Sequence, residues 1–212
     1  MATAKPFVMG IGGGSGSGKS TIVKEILKQL GTEKVSVIQH DSYYKNRPEL
    51  SFEERTKINF DHPDSLETNL LVEHLNLLIS GKNVEIPVFH HFTKYLRDSS
   101  TKKVESRPIL IVEGILVLND KELRDLMNLK VFIDVPPDLR FIRRLKRDLS
   151  EHGRSVESVT KQYLATIRTM HEEYVEPSKI YADVFIPEGW SNRQAVNLLV
   201  SHLQTLQEKH FS

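Results

Sequence analysis

Gly13-Gly14-Ser15-Gly16-Ser17-Gly18-Lys19-Ser20 fits G-x-x-x-x-G-K-[ST] at every fixed position and follows the apolar run Phe7-Val8-Met9-Gly10-Ile11. This is the pattern of a phosphate-binding loop between a strand and a helix. Such a loop turns successive backbone N–H groups inward as an anion nest, and the positive end of the following helix dipole points at the same spot. The candidate nucleotide-phosphate residues are Gly13, Gly14, Ser15, Gly16, Ser17, Gly18, Lys19, Ser20 and Thr21. Lys19 is placed to reach β- and γ-phosphates, and Ser20 to reach Mg²⁺. A Gly/Ser linker has the same composition, but it would not lie between a strand-like run and an amphipathic helix. That helix shows in Ile22, Val23, Ile26, Leu27 and Leu30, with Gly31 where a C-cap belongs.

Working outward, 212 residues without a Pro/Gly-rich linker suit one α/β domain over 1–212. A net charge of +1 gives no global basic field of the kind nucleic-acid binders use, so no nucleic-acid partner is expected. The absence of cysteine excludes disulfide and thiolate chemistry. No apolar stretch approaches a membrane span and no signal-peptide core is present, so a soluble cytoplasmic protein with no membrane partner is expected. The nine histidines show no metal-ligand spacing, and no transition-metal site is expected.

Further apolar runs mark the remaining strands. Val35–His40 ends in Asp41-Ser42-Tyr43-Tyr44, Pro108–Val112 ends in Glu113-Gly114, and Leu129–Val135 leads into Pro136-Pro137-Asp138. In open α/β sheets ligands bind beyond the carboxyl ends of strands, which makes Asp41 and Glu113 site candidates. Asp41 could equally cap whatever follows it. Asp134, inside its strand, reads as structural. Residues 45–64 read as loop with a helical turn near Phe52–Arg55, and Ser65 as the cap of a helix carrying Leu70, Leu71, Leu75, Leu78 and Ile79. Val84–Phe89 and a weaker run at Val104 suggest a hairpin arm over 83–106, joined by a polar connection from His90 to Thr101.

From 138 to 154, Arg140, Arg143 or Arg144, and Arg147 share one helical face. Such a run is either a solvated face paired with Asp148 and Glu151 or a cationic lid over a transferring phosphoryl group. Ser155 then caps a helix with the stripe Val156, Val159, Tyr163, Ile167, Met170 and Tyr174, off which Gln162 lies. Asp183–Pro187 is a last strand, and Ala195, Leu198, Leu199, His202, Leu203 and Leu206 mark a closing helix. The chain lacks D-x-x-G after a strand and N-K-x-D, so a small-molecule kinase leads over a regulatory GTPase.

Several stretches in matching order resemble the uridine-cytidine kinase family: the phosphate loop, His40–Tyr44, Asn59-Phe60-Asp61-His62-Pro63-Asp64, Ile86-Pro87-Val88, Val112–Ile115, Arg143–Asp148, Gly153-Arg154 and Tyr181–Val184. The resemblance implies transfer from ATP or GTP, with Mg²⁺, to the 5′-hydroxyl of uridine or cytidine. It implies a three-layer P-loop fold with a five-stranded parallel sheet, a β-hairpin arm and a helical lid, and a homo-oligomer, often a tetramer. By the same resemblance Asp41 is the general base, and Ser20, Asp41 and Glu113 surround Mg²⁺. Asp61 holds the ribose diol. Tyr44, Phe60, Phe92, Arg144, Arg154 and Gln162 line the nucleoside pocket, and Arg147 is a lid cation facing the phosphates, with His152 where a second such cation is expected. The hairpin departs from the pattern: Phe89-His90-His91-Phe92 is one residue longer before Tyr95, which stands where a base-contacting His is expected. A phosphoribulokinase-like enzyme would share the loop and lid, and a silent nucleotide-binding module would be expected to have lost Lys19, Asp41 or Glu113.

Overall fold

The computed structural model describes residues 5–91 and 93–211. Phe92, expected in the nucleoside pocket, lies outside the described residues. Strand β1 (Phe7–Gly12) leads through the glycine-rich loop into α1 (Lys19–Leu30), followed by β2 (Val35–Gln39) and a 3₁₀ turn, His40–Tyr43. Next come α2 (Phe52–Thr56), α3 (Thr68–Ile79), the hairpin β3 (Val84–His90) and β4 (Leu96–Val104), and β5 (Ile109–Glu113). The rest is α4 (Lys121–Asp125), β6 (Leu129–Asp134), α5 (Pro137–His152), α6 (Val156–Gln162) and its continuation, β7 (Val184–Pro187), and α7 (Arg193–Phe211).

Five strands form one parallel sheet in the order β2-β5-β1-β6-β7. Both faces are covered, which is why β1 and β5 read as continuous apolar runs. On one face α1 and α7 bring Ile22, Ile26, Val200 and Leu203 against Met9, Ile11, Ile111 and Ile133. On the other, Leu71, Leu75 and Leu78 of α3 pack with Val8, Leu110, Val112 and Phe132. Each such fully buried side chain contributes roughly 1.5–3 kcal/mol. The register sets Glu113 opposite both Ile11 and Gln39, so the carboxyl ends of three adjacent strands open on one crevice. This is the α/β three-layer fold expected from the sequence.

Four local expectations are corrected. The hairpin strands pair out to His90↔Leu96, so the connection is short and the polar segment Leu96–Thr101 is strand. Ser65 does not cap α3; its hydroxyl donates to the Phe60 and His62 carbonyls, at 3.2 and 2.6 Å. The stripe after Ser155 is displaced, with Val159, Ile167 and Val175 buried and Val156 exposed. Two π-helical turns, Tyr163–Ile167 and His171–Val175, each take up an extra residue, so buried positions recur every eight rather than every seven or so. Leu198 of α7 is exposed, while Val196 and Val200 join Leu199 and Leu203 in the core.

Candidate functional site

The phosphate loop is built on backbone that few residues but glycine adopt. Gly13, Gly16 and Gly18 have φ of 134°, 79° and 95°, and a Cβ on Gly16 would run into the Arg140 carbonyl. Lys19 opens α1 and curls back, its ammonium donating to the Gly13 and Gly14 carbonyls at 2.9 and 3.2 Å. Burial lowers the Lys19 pKa, against the pull of Glu113 and Asp41, and Arg147 and Arg140 lower it further. A cleft of about 440 Å³ opens in front. It is lined by Ser15, Gly16, Gly18, Lys19, Ser20 and Thr21, and on the facing elements by Asp41, Glu113, Arg144 and Arg147. Gly13, Gly14 and Ser17 sit behind this lining.

The two strand-end carboxylates reach the same cleft by different means. Ser20 Oγ donates to Glu113 Oε1 at 2.9 Å, and Gln39 Nε2 donates to the same oxygen at 3.2 Å, which fixes the Glu113 rotamer. Asp41 sits in a 3₁₀ turn whose neighbours are pinned inward. His40 Nε2 meets Thr68 Oγ1 at 3.1 Å, and the Tyr43 hydroxyl meets His74 Nδ1 at 2.9 Å. With both flanks buried, Asp41 is left exposed at the cleft wall. It caps no α-helix by its side chain, so of its two readings the site position is the one the geometry favours.

Helix α5 contradicts the solvated-face alternative, because Arg140 and Arg144 are buried. Arg144 Nη1 donates to Ser15 Oγ at 2.8 Å, tying α5 to the phosphate loop across 129 residues of sequence. Its other amino nitrogen donates to Gln162 Oε1 at 3.2 Å, and Arg154 Nη1 donates to the same oxygen at 2.7 Å. Asp148, with no accessible surface, takes ion pairs from Arg144, Arg147 and Arg154 at 3.5, 2.8 and 3.1 Å. Asp134 pairs with Lys179 at 2.7 Å, as a structural residue should.

Beyond Arg144, Tyr44, Phe60 and Tyr95 form an aromatic cluster. Phe60 stacks on Tyr95, with centroids 5.5 Å apart and planes at 19°, and meets Tyr44 edge-on at 5.0 Å. Burial holds the Tyr44 phenol well above its usual range, and Asp41 and Asp61 add to it. Burial likewise pushes the Asp61 carboxyl up, while Arg144 pulls it back. These electrostatic ties bring Asp41, Tyr44, Asp61 and Arg144 into one neighbourhood. Tyr95, at φ 50°, feels Arg154, Asp148 and Arg144 after burial. The sequence reading missed Gln39, Lys24 and Trp190, which also line the cleft. The lone tryptophan left no pattern, yet a Cβ on Gly18 would stand 2.8 Å from Trp190 Cδ1.

Among known proteins, the model of the phosphoribulokinase / uridine kinase family matches residues 8–195. A uridine kinase of Streptococcus thermophilus is 46% identical over 205 residues, covering 97% of each chain. A uridine kinase of Chloroflexus aurantiacus is 48% identical over 199 residues, covering 94% of this chain and 95% of the relative. The solved structure of a phosphoribulokinase from Rhodobacter spheroides superposes with a TM-score of 0.65 at 17% identity, covering 86% of this chain and 70% of that one, a likeness of fold.

Proposed function

The chain belongs to the phosphoribulokinase / uridine kinase family, and from that premise we propose that it transfers the γ-phosphoryl group of ATP or GTP to the 5′-hydroxyl of a pyrimidine ribonucleoside. The observation that carries this reading is the convergence of the phosphate loop, Asp41, Glu113 and the arginines of α5 on one cleft, with the Tyr44–Phe60–Tyr95 cluster beside it. Asp41 accepts the proton of the attacking hydroxyl. Phosphoryl transfer runs through a loose transition state, so orienting that hydroxyl counts for more than basicity. Lys19 leaves the loop carbonyls for the phosphates, and Arg144 and Arg147 stabilise charge on the transferring oxygens. Asp61 accepts hydrogen bonds from the ribose diol, and Phe60, Tyr44 and Tyr95 enclose the base, with Arg154 and Gln162 at its edge.

The oxygen donors fit Mg²⁺: Ser20 Oγ and Glu113 Oε1 are 2.9 Å apart and Asp41 lines the same cleft, a set that suits this cation together with substrate phosphates. Mg²⁺ when bound would supply charge neutralisation at the β- and γ-phosphate oxygens. Among the described residues no helix is long and apolar enough to cross a membrane; a cytoplasmic salvage role is part of the same proposal. The homo-oligomer implied by the resemblance belongs to the same proposal and is read by sedimentation. The test of function is ADP release with uridine, cytidine, their deoxy counterparts, ribulose 5-phosphate and shikimate as acceptors. Turnover on the pyrimidine ribonucleosides is expected. Turnover confined to a sugar phosphate would overturn the assignment.

A further inference from the structure

Arg140 stands out as a buried charge that the reaction does not touch. It lies in the first turn of α5, is 4% exposed, and does not line the nucleotide cleft. Its Nε donates to the Val135 carbonyl at 3.0 Å, and no carboxylate forms an ion pair with it among the described residues. A buried guanidinium held by no direct ion pair is costly, and burial lowers the Arg140 pKa although Tyr163, Glu176 and Asp134 act on it in the opposite sense from further away. What it does touch is the phosphate loop, at two points. A Cβ on Gly14 would collide with its Nη1, and one on Gly16 with its carbonyl oxygen. At Gly16 the clash is with backbone and cannot be relieved, whereas at Gly14 it is with the end of the flexible Arg140 side chain. The field of Arg140 is felt on both sides: after burial it helps depress His171, to about 4, and it adds to the forces lowering Lys19.

We infer that Arg140 is a positioning residue for the triphosphate: it backs the phosphate loop from outside the cleft, and its charge, in direct ion pair with no carboxylate among the described residues, gains a further counter-charge when phosphates enter the loop. The inference rests on the reading of that loop as a nucleotide site and deepens it. A side chain that only filled space would leave nucleotide affinity to the loop amides. One that lends its charge sets the KM for ATP while leaving that for the nucleoside alone, since the aromatic cluster lies beyond Arg144.

The experiment compares Arg140→Met, which keeps the stem, with Arg140→Lys, which keeps the charge. Arg140→Met should raise the KM for ATP about tenfold, with the nucleoside KM within about twofold, the size expected of one buried charge acting across a layer of backbone. Arg140→Lys should return the KM for ATP to within about threefold of native. An unchanged KM for ATP, an equal rise for the nucleoside, or a lysine no better than methionine overturns the inference. Should Arg140→Met fail to fold, Gly14→Ala reads the same contact, because its methyl would push the flexible guanidinium aside. Its KM for ATP should rise with the melting temperature nearly unchanged, and a native KM overturns the inference. Calorimetry with inorganic triphosphate separates this from the parent reading. No binding to native protein overturns both, whereas native binding that Arg140→Met does not weaken overturns this one alone.

Discussion

Replacing Asp148 by asparagine keeps the shape of the side chain and removes one charge from a site with no accessible surface. Three guanidinium groups then lose their shared carboxylate at once, though Arg144 keeps Ser15 and Gln162 and Arg154 keeps Gln162. Removing one member of a buried ion pair typically costs about 3–5 kcal/mol, because a desolvated charge is stranded. Here the strandings differ. The side chains of Arg147 and Arg154 are 38% and 16% exposed and can turn toward water, while that of Arg144 is 9% exposed and cannot. The low end of the range applies, about 3 kcal/mol. For a chain of this length ~1 kcal/mol moves the melting temperature by about 2–4 °C, so Asp148→Asn should melt roughly 6–12 °C lower. Thermal unfolding followed by circular dichroism, with native protein and Asp148→Asn side by side, measures it. The nucleoside KM should rise as well, because Arg144 and Arg154 are the pair that hold Gln162. A melting temperature within about 2 °C of native would mean that water or other groups already carry these arginines, and the reasoning about the node would fall.

Other expectations follow from the same geometry. Asp41→Asn should cut kcat by roughly 10²- to 10⁴-fold with ATP affinity much less affected; near-native turnover would remove it as the base. If Asp61 holds the ribose diol, a 2′-deoxynucleoside leaves a desolvated carboxylate short of a partner, and discrimination can approach about 10⁴-fold; equal kcat/KM for cytidine and deoxycytidine would contradict this. Acid should destabilise the fold well above the carboxylate range, because burial lowers His40 and His171 from 6.5 to about 4. The unfolded chain binds more protons between those values, so stability is full above pH 6.5 and is lost as pH falls toward 4, by up to about 3 kcal/mol for His40. A melting temperature flat across that window would refute it, and His40→Gln should shrink the slope.

What could be read from the chain was what short-range pattern encodes. A strand buried on both faces has to be a run of apolar residues, so its end is visible, and whatever polar residue follows is placed at the sheet's carboxyl edge; that alone puts Asp41 and Glu113 at the crevice. The extent of the second strand of the hairpin arm escaped the same logic. Leu96–Val104 carries Arg97, Asp98, Ser99, Ser100, Lys102 and Lys103, and much of it is exposed, so nothing in its composition marks a strand. Backbone pairing with β3 and the anchor Val84↔Val104 hold it instead. The π turns were invisible for a related reason. They shift the phase of a stripe without changing its residues, and a 3.6-residue template carried straight through them lands on Met170 and Tyr174 while Val175 is the buried one.

The arginines of α5 show where pattern reading meets its limit. Spacing put Arg140, Arg144 and Arg147 on one face, and general experience puts a charged face in water. Arg140 and Arg144 are instead turned inward, because besides Asp148 of the same helix Arg144 meets two partners that no local window contains: Ser15 Oγ of the phosphate loop and the Gln162 side chain. Asp148, with Asp61 acting on Arg144, offsets only part of the charge on Arg144, Arg147 and Arg154, and Arg140 forms no direct ion pair among the described residues, feeling Glu176 and Asp134 only from further away. Folding therefore leaves an excess of positive charge beside a loop whose amides also point at an anion. A fold selected for stability alone would neutralise that excess. Its survival next to Gly13–Ser20 is intelligible if the missing counter-charge arrives with the nucleotide. On this reading triphosphate should raise the melting temperature of the native protein by more than it raises that of Arg140→Met, since in the variant less unbalanced charge waits to be met.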